Sequence, residues 1–364
     1  MSSNPDPPAF RWRLLLWYDE NARDLPWRQS HDPYAIWVSE IMLQQTRVAA
    51  VLPRYEKFLR RFPSVQQLAT AKLAEVLAEW SGLGYYRRAR LLHKAAQFVA
   101  VQLGGRLPSR ASELRMLPGV GEYTAAAIAS IGFGEPVACV DGNVERVLSR
   151  LNGRAEESRS ISNVRADAAR LLEPKRPGDF NQAMMELGAT VCLPRAPRCA
   201  ECPVRELCKT QGEHPVAKRK KMRSRELAYA FLQRTVKAKK TRTNTVEVLL
   251  EQRAADASLM PGMWELPELT AANTPTSRRA LTLRHSITDT NYYVTVYELA
   301  ADDRKKLPRH KTAREWFAVD NLHTIPLTGL ARKALKRLRA WPGYDAYGPV
   351  VRLEDGQQRM LFQR

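Results

Sequence analysis

Apolar residues follow two different periodicities along this chain, and the change falls near residue 226. Up to about residue 191 they recur at helical spacing, whereas later runs are alternating or β-branched and predict strands. Asp32 followed by Pro33 predicts a helix start, because Asp caps free N–H groups and Pro suits the first helical turn. Predicted helices cover residues 10–18, 34–52, 65–69, 73–79, 87–103, 111–116 and 161–191. Predicted strands cover 227–232, 246–252 and 292–297, and a basic amphipathic helix covers 328–340.

These patterns predict a multidomain protein, and 364 residues are enough for two or three packed domains. An all-α domain is expected over residues 1–210 and an α+β domain over 227–342. The segment 211–226 contains the charge run AKRKKMRSR. Because like charges repel, this segment is predicted to be a solvated basic linker. Residues 343–364 are predicted to be a tail.

The formal net charge of +20 favours a polyanionic partner. Charge alone does not distinguish DNA from RNA or from an acidic membrane surface. No run of about eighteen apolar residues is present, and residues 1–10 lack the basic and apolar regions of a signal peptide. We therefore expect a monomeric intracellular protein that does not span a membrane and that is cytoplasmic or nucleoid-associated if bacterial.

A turn and a carboxylate stand close together in the middle of the helical part. Residues 117–121 read Leu-Pro-Gly-Val-Gly, and such a turn leaves backbone N–H groups near Gly119 and Gly121 free to bind phosphate oxygens. Asp141 follows twenty residues later, at a second predicted helix start. This combination favours chemistry on a nucleic acid. The alternative is a solvated turn followed by an ordinary Asp N-cap.

A second carboxyl group, Glu40, lies inside an apolar helical run. It shares a helix face with Ile36 and Gln44, which lie four residues away on either side. Partial desolvation is expected to raise the pKa of this carboxyl, as a general acid near neutral pH requires. The alternative is a structural Glu paired with an arginine.

Four of the five cysteines are crowded into seventeen residues, with the spacing C-x6-C-x2-C-x5-C: Cys192, Cys199, Cys202 and Cys208. Four thiols so close together can bind a metal, and disulfides are not expected inside a cell. The prediction is a [4Fe-4S] cluster, and a zinc ion held by four thiolates is the alternative. Basic residues between the cysteines indicate a structural or redox-responsive site beside DNA, rather than the source of bond cleavage.

Several motifs occur in one order between about Pro26 and Cys208: LPWR, DPYAIWVSEIMLQQT, WSGLGYYRRAR, LPGVGEYTAAA, VDGNVERVLSRL, QAMMELGATVC and the four-cysteine loop. Together they resemble the adenine DNA glycosylase (MutY) family of the helix-hairpin-helix base-excision superfamily. The resemblance implies an all-α glycosylase domain of two lobes with a cleft between them. It also implies excision of adenine mispaired with 8-oxoguanine, or with guanine, in double-stranded DNA.

The resemblance also assigns residues to roles. Glu40 matches the acid that protonates adenine, and Asp141 matches the carboxylate that faces the positively charged sugar, as an electrostatic stabiliser or a transient nucleophile. Tyr123 and Asn143 match positions that orient these groups. The endonuclease III branch has an imine-forming lysine at the position of Tyr123, so we predict a monofunctional glycosylase. Further substrate-binding positions are Trp27, Arg28, Glu186 and, more weakly, Arg23 in the adenine pocket, and Gln45 with Tyr85 in the base stack.

Residues 227–342 resemble the Nudix-like domain that senses 8-oxoguanine in the same family. Its lesion-reading loop typically contains an aromatic residue, a Ser and a His, whereas the aligned residues here are Ile287, Thr288 and Asp289, after His285 and Ser286. Thr288 is expected to keep the hydroxyl contact. The dense run of glutamates that would hold Mg²⁺ is missing, so pyrophosphohydrolase activity is not expected. The tail motif QQRMLF at 357–362 resembles a docking peptide for a sliding clamp.

Three alternatives to adenine excision stay open at the level of sequence. One is a glycosylase for thymine or uracil mismatches, and the second is a redox-responsive DNA-binding protein without enzymatic activity. The third is a protein of the membrane surface, which is disfavoured because the apolar residues are committed to predicted cores.

Overall fold

The computed structural model describes residues 5–154, 160–213, 222–237, 244–270, 274–275, 279–287, 289–308 and 312–342. The chain folds into two compact units, one of Met1–Val76 with Tyr85–Arg219 and one of Leu77–Gly84 with Lys220–Arg364. The predicted division into a helical N-terminal part and a strand-rich C-terminal part is confirmed. The helices are α1 (Pro7–Asn21), α2 (Pro33–Leu43), α3 (Val48–Arg61), α4 (Val65–Thr70), α5 (Leu73–Glu79), α6 (Arg87–Gln102), α7 (Ala111–Leu114), α8 (Glu122–Phe133), α9 (Gly142–Leu151), α10 (Ile161–Leu171), α11 (Pro177–Thr190) and α12 (Gly329–Arg337). The strands are β1 (Arg223–Lys237), β2 (Asn244–Gln252), β3 (Trp264–Glu265), β4 (Glu268–Leu269), β5 (Arg279–Ile287), β6 (Thr290–Leu299) and β7 (Arg314–Ala318).

The helix that begins after Asp32 is shorter than predicted. Asp32 caps it as expected, since its Oδ1 accepts a hydrogen bond of 3.0 Å from the Tyr34 N–H. The prediction of one helix over 34–52 is wrong, because α2 ends at Leu43 and α3 begins at Val48. Arg88 of α6 fixes this end by donating to the carbonyls of Ile41 (2.6 Å) and Met42 (2.9 Å). A contact from a distant helix therefore ends α2, and the local periodicity does not reveal it.

The predicted helix over 161–191 is also interrupted. It forms α10 and α11, and Pro177 stands at the first turn of α11, where a missing N–H is tolerated. The buried faces of α1, α9, α10 and α11 share one apolar core, which includes Phe10, Leu148 and Leu187. Burial of this shared face holds the four helices together.

Helix α11 packs unusually close to its neighbours, and a glycine near each end permits it. A Cβ added at Gly178 would lie 2.9 Å from the Ser130 carbonyl oxygen and from the Ile131 Cα at the end of α8. A Cβ added at Gly188 would lie 2.6 Å from the Cβ of Asn143 at the start of α9. Both distances are shorter than real Cβ contacts, so larger side chains would push α11 away from both helices.

Between these glycines, Asn181 fastens α11 to the segment that leads into α9. Its buried amide donates to the Ser130 hydroxyl (2.9 Å) and the Val137 carbonyl (2.8 Å), and its oxygen accepts from the Cys139 N–H (3.0 Å). A buried amide with three partners leaves little freedom to either side. The position of residues 137–139 is therefore set by α11.

The second unit is built around a seven-stranded mixed sheet in the order β3-β2-β1-β6-β5, with β4 beside β1 and β7 beside β2. Strands β1 and β6 are parallel, and the other pairs are antiparallel. Helix α12 covers one face and contributes Leu330, Ala334 and Leu335 to the larger apolar core. Thr328 caps this helix through a hydrogen bond of 3.2 Å from the Ala331 N–H.

Two boundaries differ from the sequence-based prediction. Strand β1 begins at Arg223, inside the predicted linker 211–226, because pairing with β6 extends the sheet to this point. His285, Ser286 and Ile287, aligned with a lesion-reading loop, instead end strand β5, which pairs with β6 as far as Ile287. Thr288 lies outside the described residues, as do residues 214–221, which include the first part of the charge run, and the tail 343–364. Among the described residues no helix has the length and apolarity needed to cross a membrane.

The close approach of α11 makes a prediction about stability. We expect Gly178→Ala to lower the free energy of unfolding by about 1–3 kcal/mol, because the new methyl group would collide with the backbone of α8. Gly142→Ala is the matched control, since a Cβ there meets nothing within 4 Å and Gly142 begins α9. Its effect should stay within about 1 kcal/mol of the parent protein. Urea unfolding followed by far-UV circular dichroism measures both, and equal effects would contradict the packing argument.

Candidate active site

An open cavity of about 540 Å³ lies within the helical unit. We call it the Glu40 cavity, because this side chain of α2 lines it together with the starts of α8 and α9 and one face of α11. Its volume is in the range of small-molecule sites, so it can accept a nucleobase with its sugar. Nine of the predicted site residues line it: Arg23, Trp27, Arg28, Glu40, Gln45, Tyr123, Asp141, Asn143 and Glu186.

Glu40 stands in apolar surroundings with one hydroxyl partner. Every residue of α2 from Tyr34 to Met42 is buried, and Glu40 itself is 6% exposed. The Tyr123 hydroxyl donates to its Oε2 at 2.8 Å. Burial raises the pKa of Glu40 to about 7; the hydrogen bond from Tyr123 and the charge of Arg28 oppose the rise, and the charge of Asp141 adds to it. This carboxyl can therefore carry a proton near neutral pH.

Asp141 stands in the opposite environment, at the N-cap of α9. Its Oδ1 accepts from the N–H groups of Asn143 (2.9 Å) and Val144 (2.8 Å), and its Oδ2 accepts from the Asn143 side chain at 2.9 Å. These donors and the positive end of the helix dipole stabilise negative charge on the carboxylate. The cavity thus holds one buried carboxyl that can donate a proton and one carboxylate that accepts three hydrogen bonds from N–H donors.

Asn143 is itself held in place by Arg146 of the same helix. Arg146 Nη2 donates to the Asn143 side-chain oxygen (2.7 Å) and to the Gly188 carbonyl (2.6 Å), and its Nε donates to the Cys192 carbonyl (2.8 Å). The orientation of Asp141 is therefore connected, through Asn143 and Arg146, to the end of α11 and the first cysteine. The sequence reasoning did not identify Arg146.

Glu186 of α11 forms an ionic group with two arginines. Arg23 donates to both of its oxygens, at 2.6 and 2.7 Å, and Arg28 Nη2 donates to Oε2 at 2.6 Å. Burial alone would raise the pKa of Glu186, but the hydrogen bonds and charges of Arg23 and Arg28 lower it to about 2. Glu186 is thus a permanent anion in the cavity wall. Trp27, 7% exposed, packs edge-on against Tyr55 with ring centroids 5.4 Å apart.

Gln45 and Tyr85 both adopt left-handed backbone conformations, with φ of 56° and 46°. Such angles strain a residue that has a Cβ, and strained residues cluster at functional sites. Gln45 lines the Glu40 cavity, whereas the half-exposed Tyr85 does not. The guanidinium carbon of Arg88 lies 5.5 Å from the Tyr85 ring centroid, so the ring is supported from one side.

The predicted phosphate-binding turn stands outside this cavity. Gly119 has φ of 79°, and a Cβ there would lie 2.6 Å from the Leu91 Cβ, so only glycine fits. Gly121 is the N-cap of α8, and a Cβ there would meet nothing within 4 Å, which leaves the helix start open. Tyr123 lies two residues later, so the same helix presents backbone N–H groups outward and a catalytic candidate inward.

The four clustered cysteines line one pocket together with Arg150, Arg198 and Arg205. Arg150 Nη1 lies 3.4 Å from the Cys192 sulfur and 2.6 Å from the Leu193 carbonyl, so the loop closes around this side chain. In the described part of the chain, no three or more His, Cys, Asp or Glu side chains are arranged to hold a metal ion. The donor set nevertheless suits a thiolate-bound group, because the surrounding guanidinium charges would balance its negative charge.

Ten of the nineteen residues that line the Glu40 cavity were not singled out from the sequence, and Gln44, Gln182 and Met185 are among them. The Gln44 amide donates to the Thr124 hydroxyl at 3.0 Å, and the Gln182 oxygen accepts from Tyr18 at 3.2 Å. Gln182 and Met185 belong to the motif QAMMELG. Only the rotation of α11 against its neighbours shows which of these side chains reach the cavity.

Comparison with known proteins agrees with this geometry. Residues 38–174 match the HhH-GPD superfamily of base excision DNA repair proteins. The chain is 50% identical over 215 residues to the adenine DNA glycosylase of Homo sapiens. This alignment covers 56% of this chain and 39% of the human protein. It is 51% identical over 216 residues to that of Rattus norvegicus, covering 56% and 42%. The matched region thus spans about two fifths of these relatives.

Among solved structures, a thermostable thymine-DNA glycosylase superposes with a TM-score of 0.53 at 31% identity, covering 56% of this chain and 96% of that structure. Just over half of this chain therefore shares its fold with nearly all of that DNA glycosylase structure. The two carboxyls and the sequence matches thus fall in one region, which belongs to the HhH-GPD superfamily of base excision DNA repair proteins and is similar to adenine DNA glycosylases.

Proposed function

We propose that this protein is a DNA glycosylase that hydrolyses the N-glycosidic bond of adenine mispaired with 8-oxoguanine or guanine. The observation that carries the proposal is the pair of carboxyls in one cavity, with Glu40 buried beside a hydroxyl and Asp141 held by three N–H donors. Two carboxyls in unlike environments supply an acid and an anion for cleaving a glycosidic bond. The sequence identity to adenine DNA glycosylases supports adenine as the base.

In the proposed reaction the adenine first leaves the duplex and enters the Glu40 cavity. Glu40 donates its proton to N7 of the base, and the bond between C1′ and N9 breaks with its electron pair moving to adenine. Asp141 faces the positive charge that develops on the sugar. Water then attacks C1′ and gives its proton to the Glu40 carboxylate, which restores the acid and leaves an abasic site. Tyr123 offers no amine for imine formation, so the enzyme is monofunctional.

Recognition of adenine is proposed to use Glu186, Arg28 and Trp27. Each Glu186 oxygen already accepts two hydrogen bonds, Oε1 from the backbone N–H and Nε of Arg23 and Oε2 from the Nη2 atoms of Arg23 and Arg28, so the exocyclic amine of adenine would bind by replacing one of these donors. Trp27 supplies an apolar wall. Gln45 and Tyr85, with their strained backbones, are proposed to enter the base stack around the lesion.

We propose that the second unit is a Nudix-like domain that reads 8-oxoguanine, from the turn between β5 and β6. Asn291, which is 7% exposed, accepts from Ser286 at 2.7 Å and from Arg284 at 2.9 Å, so this end of the hairpin is fixed. The Ser286 hydroxyl thereby uses its one donor within the hairpin. The proposed hydroxyl contact of Thr288, and the sliding-clamp peptide at 357–362, both fall outside the described residues.

We propose that the four cysteines hold a [4Fe-4S] cluster. The support is their shared pocket and the three arginines around it. When bound, the cluster would crosslink the loop after α11 and hold its basic side chains toward the DNA backbone.

A mismatch glycosylase for thymine is the second candidate, since a structure of that kind matches 56% of this chain at 31% identity. Thymine has no exocyclic amine for Glu186 to bind. Excision from A opposite 8-oxoguanine and from T opposite G separates the two candidates. A DNA-binding protein without activity would excise neither base.

The cofactor proposal predicts the composition of the purified protein. We expect about four irons and four sulfides per chain and no stoichiometric zinc, measured by elemental analysis and visible absorption. Cys199→Ser should remove most of the iron, while Cys139→Ser, in the buried core and remote from the four-cysteine pocket, should retain it. One zinc per chain in protein purified without air would overturn the cluster assignment.

The two-carboxyl proposal predicts the effect of removing each acid. Glu40→Gln cannot donate a proton, so we expect the single-turnover excision rate on A opposite 8-oxoguanine to fall roughly 10²–10⁴-fold. The excision rate of Asp141→Asn should also fall strongly, because this change removes the negative charge that faces the sugar. Glu56→Gln, an exposed glutamate of α3, is the matched control and should be unaffected. Full excision by either cavity variant would refute the mechanism.

The environment of Glu40 predicts how excision depends on pH. The acid acts only while it is protonated, and its pKa is raised to about 7. The single-turnover rate should therefore be highest below about pH 7 and should fall roughly tenfold per unit above it. A rate that stays constant between about pH 6 and 9, under single-turnover conditions that exclude product release, would show that Glu40 is not the acid.

A further inference from the structure

The Tyr123 hydroxyl lies between two acceptors. It is 2.8 Å from Glu40 Oε2 and 3.0 Å from the sulfur of Met185, a half-buried side chain of α11 in the wall of the Glu40 cavity. A phenol has a single proton to donate and can accept a hydrogen bond at its oxygen. It therefore cannot donate to both neighbours at once, and the state of Glu40 decides which one receives the proton.

When Glu40 is ionised, the carboxylate is the stronger acceptor, so Tyr123 donates to Glu40 and the sulfur receives nothing. When Glu40 is protonated, its own O–H can donate to the Tyr123 oxygen. The phenolic proton is then released toward Met185, whose thioether is a weak acceptor at suitable distance. In this second arrangement both O–H groups, that of Glu40 and that of Tyr123, have an acceptor. The arrangement exists only while Glu40 is protonated.

We propose that Met185 is a positioning residue for the acid: its sulfur accepts the Tyr123 proton and thereby stabilises the protonated form of Glu40. The inference rests on the proposed function, in which Glu40 must carry a proton before excision. It adds a residue of α11 to the catalytic arrangement and gives a role to the contact between the Met185 sulfur and the Tyr123 hydroxyl, in a side chain that also packs against the apolar core. An aliphatic side chain of the same size would fill the space but would leave the phenolic proton without a partner.

Other charged or titratable groups also face Glu40, and all remain when Met185 alone is changed. Asp141 disfavours the ionised form, whereas Arg28 favours it. Burial raises the pKa of the Cys139 thiol, and burial also raises that of Tyr123 well above its usual range, so both stay neutral. These groups come from several elements. Tyr123 lies on α8, Cys139 and Asp141 precede α9, and Arg28 lies in the turn 26–28. Glu186 of α11 and Arg23 lie beside Arg28.

The test measures the carboxyl directly. In protein labelled with ¹³C at the glutamate carboxyl, NMR titration follows Glu40, and its signal is assigned by its loss in Glu40→Gln. Met185→Leu keeps the volume and removes the acceptor. We expect it to lower the pKa of Glu40 by roughly half a unit, the scale of a weak hydrogen bond. Met184→Leu, the same change at the adjacent buried core position, should leave the pKa unchanged. If the leucine variant does not fold, Met185→Ile replaces it as the variant that lacks the sulfur acceptor.

The Tyr123 hydroxyl must transmit the effect, so a double variant gives the decisive comparison. In a Tyr123→Phe background, Met185→Leu should cause no further shift. In an enzyme that excises adenine, the pH above which the excision rate falls should be lower in Met185→Leu than in the parent protein, by the same shift as the pKa of Glu40. The excision rate at acidic pH should change little. A uniform loss of rate at every pH would indicate packing alone.

The two hypotheses fail separately in this design. If the parent protein does not excise adenine, the proposed function is wrong, while the NMR titration still decides whether Met185 acts on Glu40. If excision occurs but the Glu40 titration is the same in Met185→Leu, or shifts equally in Met184→Leu, the role of Met185 is overturned alone.

Discussion

The close packing of α11 against α8 and α9 is the constraint on which the rest of the helical unit depends. Gly178 and Gly188 let the helix approach both neighbours to distances that a Cβ would forbid, and Asn181 fastens it to the segment entering α9. Tyr123 stands on α8 and Asp141 caps α9. The relative positions of these two groups are thus fixed through a helix that carries neither of them, and this helix itself supplies the third wall of the cavity.

Within that frame, the chemistry depends on keeping two carboxyls electrostatically different. Glu40 sits on a helix whose whole circumference is buried, and Asp141 sits where backbone N–H groups point at it. Glu186 has a third kind of environment, in which two arginines keep a buried carboxylate ionised. Desolvation favours the protonated form of Glu40, whereas ion pairing favours the ionised form of Glu186 and peptide donors stabilise negative charge on Asp141, so three acids of similar intrinsic acidity take three roles.

The same helix also connects the cavity with the cysteine loop. α11 ends at Thr190, two residues before Cys192, and the Cys192 N–H still donates to the Leu187 carbonyl at 2.7 Å. Arg146 reaches from the start of α9 to both the Cys192 carbonyl and Asn143. A group bound by the cysteines would therefore stiffen the same backbone that orients Asp141, without taking part in bond cleavage.

The sequence by itself determined the division into a helical and a strand-rich part, the caps at Asp32 and Asp141, and nine of the nineteen residues that line the Glu40 cavity. It could do so because helical periodicity, capping preferences and motif order are local properties of the chain. Tertiary structure alone decided where α2 ends, since Arg88 reaches its last carbonyls from another helix. It also decided that Met185 rather than Met184 faces Tyr123, because the rotation of α11 follows from packing on both sides, which no local pattern encodes.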